Sequence, residues 1–248
     1  MARGEGGYIG KQPTWVPGAN PALSGAWTIQ EAYDRSKNSE WGFVQTLPNI
    51  GDAYEGGFFA GLISHTANSV ATHGLIVAPS ASGYNGQATL QWKTSATSTA
   101  GTTSDFNGSV NSANMNNASH PAAQYCEGLT IGGYSDWYLP ARYELDIAYE
   151  NLKPTTAVNN TSWGINAYAV PARASNRTTG APAQTSIAAF QTGGAQAFVA
   201  ANHWSSTEVS ASNAWFLSFV NGVQDTEYYD GLSKNTSLYV RAFRKFAL

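Results

Sequence analysis

The chain has a single cysteine, Cys126, in 248 residues. No disulfide can form within it, so cysteine usage leaves the redox compartment open. Tyr125 and Leu129 accompany Cys126 at helical spacing, which reads as a small core side chain rather than a nucleophile. Charge is scarce too. Asp, Glu, Lys and Arg make up 12% of residues, against roughly 25% in an average soluble domain. The net charge is -3 and no block of like charge occurs. A nucleic-acid partner is not expected, because phosphate binding needs a basic face. The one basic cluster, Arg241, Arg244 and Lys245, reads as an edge strand carrying solvated charge. No apolar run reaches transmembrane length, so no membrane insertion is expected. The first seven residues hold no hydrophobic signal core. Export would then proceed without a classical signal peptide, and release by lysis inside a virus particle fits.

What the chain does have is apolar mass: 42% hydrophobic and 12% aromatic residues, enough for a substantial core. With so few charges, the surface must be covered by Ser, Thr, Asn, Gln, Ala and Gly. That composition suits exported or particle-assembled β-rich proteins better than cytosolic enzymes. Residues 1–43 are broken by Gly4, Gly6, Gly7, Gly10, Pro13, Pro17, Gly18 and Pro21. Tyr8, Ile9, Trp15, Trp27 and Trp41 are apolar anchors there without a period, as in an extended arm that docks on another protein. Thr28 and Glu31 form a capping-box pattern for one short helix. Residues 44–248 form the second unit.

In that unit, residues 75–79 read as a buried strand, and residues 90–92 as another. Residues 93–119, rich in Ser, Thr, Asn and Gly, read as a long surface loop. Pro121 starts a helix with Ala122, Tyr125, Cys126 and Leu129 on one face. The run from Gly132 through Trp137 to Pro140 makes a corner, and Pro140 opens the next helix. Leu145, Ala148, Tyr149 and Leu152 lie at i, i+3, i+4 and i+7 in it, and Lys153-Pro154 ends it. Strands are expected at 203–208, 214–219, 223–229 and 238–243, with Asn221-Gly222 as a hairpin turn. The fold class is therefore α+β, two helices with a group of antiparallel strands.

Metal chemistry needs clustered ligands, and His65, His73, His120 and His203 are widely spaced; no metal and no cofactor are expected. Ser205 and Ser206 lie near His203, but neighbouring strand residues point to opposite faces and no nucleophile elbow is present. Asp136 reads as a turn residue and Glu144 as a first-turn carboxylate favoured by the helix dipole. Gly56-Gly57 and Gly132-Gly133 are tight turns rather than phosphate cradles. No enzyme activity is expected.

Several motifs keep a fixed order along residues 49–246: Gly51-Asp52, Tyr54-Glu55-Gly56-Gly57, His73-Gly74-Leu75-Ile76, Gly132-Gly133-Tyr134-Ser135-Asp136-Trp137-Tyr138-Leu139-Pro140, Trp204-Ser205-Ser206-Thr207-Glu208, Ala214-Trp215 and Tyr239-Val240-Arg241-Ala242-Phe243-Arg244. In these the chain resembles the DUF1566 family, the domain that forms the C-terminal part of Lcl-type adhesins. The resemblance implies a C-type-lectin-like fold; relatives include cell-surface adhesins, phage tail proteins and targets of diversity-generating retroelements. The leader, with Gly7-Tyr8-Ile9-Gly10 and Gly25-Ala26-Trp27, is similar to short leaders of phage structural proteins. The chain lacks the Glu-Pro-Asn or Gln-Pro-Asn loop of calcium-dependent sugar binders. It also lacks the cysteine pair of formylglycine-generating enzymes.

The resemblance implies a non-enzymatic phage virion protein of tail fibre or tip type, a homotrimer exposed on the particle. Its arm would bind other virion proteins and its domain a host surface glycan or protein. A decoration protein without receptor binding and a bacterial surface adhesin are the alternatives. The expected ligand surface is the hairpin carrying Asp225, Glu227, Tyr228, Tyr229, Asp230, Lys234 and Asn235, where aromatic faces meet carboxylates and amides. Trp204 and Trp215 are expected in the core.

Overall fold

The computed structural model describes residues 47–225 and 231–248. β1 (Ala53–Tyr54) turns into β2 (Gly57–Ile63), and β3 (His73–Val77) returns antiparallel to it. Helix α1 (Ser80–Gly83) and a 3-10 turn at Asn85–Gln87 lead to β4 (Leu90–Gln91). Helices α2 (Gly108–Ala113), α3 (Pro121–Glu127) and α4 (Arg142–Leu152) follow. A long irregular stretch contains β5 (Ala169–Val170) and a 3-10 turn at Ala188–Phe190. The remaining strands are β6 (Asn202–Glu208), β7 (Asn213–Ser218), β8 (Leu232–Ser233), β9 (Ser237–Leu238) and β10 (Phe243–Ala247). The architecture is α+β, and its strand ladders are antiparallel.

The main sheet has the order β1-β2-β3-β10, with β5 also paired to β2. A second sheet runs β6-β7-β8, and β4 pairs with β9. Successive strand residues face opposite sides, and β3 is covered on both. Leu75 and Val77 join Tyr138, Leu145, Ala148, Tyr149, Leu152 and Phe243 in one core. Ile76 joins Trp92, Cys126, Trp137, Leu139, Trp204, Phe216 and Val240 in the other. Burial of Cys126 pushes its thiol pKa well up, which suits a packing role.

The expected stripe of α4 faces the core as read, and the helix stops at Leu152 before Lys153-Pro154. Pro140 does not open its first turn. Ala141 is the N-cap, and its N–H donates to Glu144 Oε2 at 2.8 Å. Ala141 has no acceptor of its own, so only this half of a capping box exists. Gly108 N (3.2 Å) and the Tyr138 hydroxyl (3.0 Å) also donate to Glu144. Glu144 is thus a buried hub tying α2 and the corner to α4. Burial pushes its carboxyl up to about 7, against the opposing effects of Lys245 and these donors.

Other expectations are corrected. Residues 93–119 are not simply a surface loop: they contain α2 and bury Thr102, Asn111, Ser112 and Met115. Hydrogen bonds make that polar burial tolerable; Thr102 Oγ1 donates to Glu208 Oε2 at 2.9 Å and Asn111 Nδ2 to Ser104 O at 2.7 Å. Residues 238–243 split between β9 and β10, because Trp204 N takes Tyr239 O and Tyr138 pairs with Phe243. Arg241 and Arg244 are buried rather than solvated. Arg241 donates to Ala78 O (2.9 Å) and Gln196 O (2.8 Å), while Arg244 pairs with Asp136 at 2.8 Å and Glu55 at 2.5 Å. The arm at 1–43, with Tyr8, Ile9, Trp15, Trp27 and Trp41, lies outside the described residues.

α4 crosses β2 very closely at a bulge. Gly61 has φ +137°, and a Cβ there would stand 2.6 Å from Asn151 Nδ2 and 2.8 Å from Ile147 Cγ2. Gly61→Ala should therefore cost about 2–4 kcal/mol through overpacking and backbone strain. Gly180→Ala, with nothing within 4 Å of its Cβ, should change stability by less than about 0.5 kcal/mol. Urea unfolding of the two variants checks this.

Candidate functional site

α4 carries a second stripe. Arg142, Asp146 and Glu150, four residues apart, share a face that meets irregular segments 163–177 and 222–225. Asp146 is fully buried. Its carboxylate pairs with Arg173 and Arg177, and accepts from Asn166 Nδ2 at 2.9 Å and Gln224 Nε2 at 2.8 Å. Arg177 also donates to Gly222 O, and Arg173 to Gly164 O, each at 3.0 Å. Glu150 lies 3.5 Å from Arg177 Nε and 3.8 Å from Arg173 Nε. Two arginines thus face two carboxylates, a balance that keeps buried charge tolerable. Burial still lowers Arg173 to about 10 and raises Glu150. The network fixes two segments that have little secondary structure of their own.

A half-buried aromatic surface rests on this frame. The Arg142 guanidinium lies 3.8 Å from the Trp215 ring centroid, 5.1 Å from that of Trp163 and 5.2 Å from that of Tyr143, all within cation–π range. Its Nε donates to Gln224 Oε1 at 2.7 Å, so the arginine is aimed by the same network. Trp163 and Trp215 meet edge to face at 5.8 Å. Tyr168 stacks 5.6 Å from Tyr143, and Phe106 stacks on Tyr168 at 4.3 Å. Asp105 borders the strip: its main-chain oxygen accepts Tyr143 N at 2.8 Å. Burial raises the Asp105 carboxyl pKa, with Arg142 opposing. Burial lowers Arg142, offset by Tyr143, Asp105 and Asp225. Trp215, expected in the core, is half-buried on this surface, whereas Trp204 is fully buried.

The expected hairpin divides. The Asn221-Gly222 turn forms, with Gly222 N on Ser218 O and Ser218 N on Val223 O, both at 2.8 Å. Residues 223–225 do not continue as a strand. Gln224 turns inward to Asp146, and Asp225 accepts Gly231 N at 2.9 Å, so the partner of β7 is β8. Asp225 is buried, with its charge felt at Arg142. Lys234 is not a surface residue: it is fully buried against Glu208 (2.7 Å) and donates to Thr97 O and Ala211 O. Asn235 is exposed and accepts from Ser233 Oγ at 2.8 Å, on the β4–β9 side. Glu227, Tyr228, Tyr229 and Asp230 lie outside the described residues.

His203 is fully buried. Its Nε2 bonds the Tyr84 hydroxyl at 2.6 Å and its Nδ1 the Ala201 carbonyl at 3.0 Å, while Ser205 Oγ donates to Trp215 O. Among the described residues, no group of three or more His, Cys, Asp or Glu is placed to hold a metal ion. No described helix is long and apolar enough to cross a membrane.

The sequence reading missed Asp105, Phe106, Arg142, Tyr143, Asp146, Trp163 and Tyr168 as a group. One signal was available, the Arg142, Asp146, Glu150 spacing along a helix whose core stripe lies elsewhere. No curated protein matches the chain. The buried frame and the aromatic strip both lie within the stretch shared with known domains: over residues 84–244 the chain matches, and it belongs to, the Lcl C-terminal domain family.

Proposed function

We propose that this is a non-enzymatic host-recognition protein of a phage particle, with a C-type-lectin-like domain as its recognition module. The observation that carries the reading is the buried frame around Asp146. It holds two irregular segments rigidly under a half-buried aromatic surface, an economical way to present side chains to a partner. Family membership supports the recognition role, and the charge-poor surface suits a protein that assembles into a particle. In this reading the N-terminal arm attaches the protein to other virion proteins and the domains act as a homotrimer. Gold-labelled antibody against the domain should decorate tail fibres or tail tips of intact particles in electron micrographs. Labelling confined to bacterial cell surfaces, with particles bare, would overturn the virion assignment.

A further inference from the structure

We propose that Lys153 and Asn159 form a self-modification site, joined after folding by an isopeptide bond that the Tyr149 hydroxyl helps to make. Lys153 directly follows α4, and Asn159 lies in the irregular stretch beyond it. All three side chains are buried. Lys153 Nζ stands 2.7 Å from Asn159 Oδ1. A carbonyl bond of ~1.23 Å then keeps Asn159 Cγ within about 4 Å of the amine, near the roughly 3–3.5 Å of a reacting pair.

The surroundings prepare both partners. Lys153 Nζ also bonds Ala157 O at 2.5 Å and Pro182 O at 3.2 Å. A neutral amine has two N–H groups and one lone pair; with the N–H groups on those carbonyls, the lone pair turns to the Asn159 side chain. Among the described residues no carboxylate forms an ion pair with Lys153, and Glu150 lies against Arg177 and Arg173 instead. An ammonium buried for structure alone is ordinarily matched by such a partner. Burial lowers the Lys153 pKa, with Arg177 adding and Glu150 opposing, which favours the nucleophilic neutral amine. The Tyr149 hydroxyl donates to Asn159 Oδ1 at 2.6 Å. Burial raises its pKa, so it stays protonated and polarises the carbonyl as an oxyanion donor does. Asn159 Nδ2 donates to Thr178 O at 3.1 Å and Pro182 O at 2.9 Å, which fixes the amide plane.

The Nζ lone pair forms a bond to Cγ, and the carbonyl π pair moves onto Oδ1 against the Tyr149 hydroxyl. One Nζ proton passes to Nδ2. The π bond re-forms, the Cγ–Nδ2 bond breaks, and ammonia leaves with that bond's electrons. An amine and a carboxamide thus give a secondary amide and ammonia, with no oxidant or further reactant. The product clamps the end of α4 to the segment at 157–160.

Intact and fragment mass spectra of the purified full chain test this. The protein should be lighter than its sequence by one ammonia, with Lys153 and Asn159 in one branched fragment, and Lys153→Arg should keep its full mass. Freshly translated protein, stopped in denaturant at intervals, should convert about tenfold or more slowly in Tyr149→Phe. A wild-type chain of full mass overturns the proposal, as does ammonia lost elsewhere (a succinimide at Asn221-Gly222 has the same mass) or a loss that persists in Lys153→Arg. Conversion at the wild-type rate in Tyr149→Phe overturns the part given to Tyr149. If Lys153→Arg fails to fold, the branched fragment of the wild type decides alone.

Discussion

Asp146→Ala should be the most damaging single change in the domain, lowering stability by about 3–5 kcal/mol. The substitution leaves Arg173 and Arg177 facing Glu150 alone and strips Asn166 and Gln224 of their acceptor. Buried cations without a counter-ion are the expensive outcome, far more so than the lost contact itself. Against a typical total of about 5–15 kcal/mol, the loss should lower the melting temperature by roughly 10 °C or more. Cleavage by trypsin should appear first after Arg173 and Arg177, because the network is what pins them. A variant within about 1 kcal/mol of wild type in urea unfolding would mean that the network is a bystander.

The second large effect is a loss of stability in acid, dominated by His203. Burial, with Arg241 adding to it and the Ala201 hydrogen bond opposing, holds its pKa down at about 3. A histidine with a lowered folded pKa contributes stability that is complete above its unfolded value near 6.5. That contribution is lost as pH falls from there toward 3. For His203 the full swing is on the order of 5 kcal/mol. His65 and His120 are held near 4, chiefly by burial, and add smaller amounts because they are partly exposed.

Glu144 acts in the opposite sense. Its folded pKa of about 7 lies above the ordinary carboxylate value, so it favours the folded state as pH falls from 7 to about 4.5. The account therefore expects a shallow decline in stability from pH 7 to 5 and a steep one below about 4.5, where Glu144 no longer offsets the histidines. His203→Gln should reduce proton uptake on unfolding near pH 5 by about one, measured as the slope of unfolding free energy against pH. An unchanged slope would show that His203 is already charged in the folded protein.

Those groups also mark what the sequence made readable. The core stripe of α4 was legible because apolar spacing is a local signal, and α3 because Pro121 and the face of Ala122, Tyr125 and Cys126 sufficed, although the helix ends at Glu127 and leaves Leu129 beyond it. β2 was not read as a strand: its Gly-Phe-Phe-Ala-Gly-Leu-Ile run mixes two glycines with apolar residues and shows no alternation, since both of its faces are largely buried. α2 was hidden by its Ser and Asn content, which becomes acceptable only when Glu144, Ser206 and Leu139 arrive from distant segments to bond it.

The candidate surface was the least legible part. Phe106, Arg142, Trp163 and Trp215 come from four separate stretches, and nothing local says that they meet. Lys234 misled in the reverse direction. A lysine among Ser, Gly and Asn reads as solvated, yet Glu208 and the Trp92 ring bury it.

The central claim is that this face of the domain performs recognition, and adsorption to bacterial cells tests it most directly. Fluorescently labelled wild-type protein and a Trp215→Ala/Tyr168→Ala double variant, both shown to be folded, are incubated with a strain panel and bound protein is measured against concentration. The account expects saturable adsorption of the wild type to at least one strain and about tenfold or weaker adsorption of the double variant. Equal adsorption of the two proteins would contradict it.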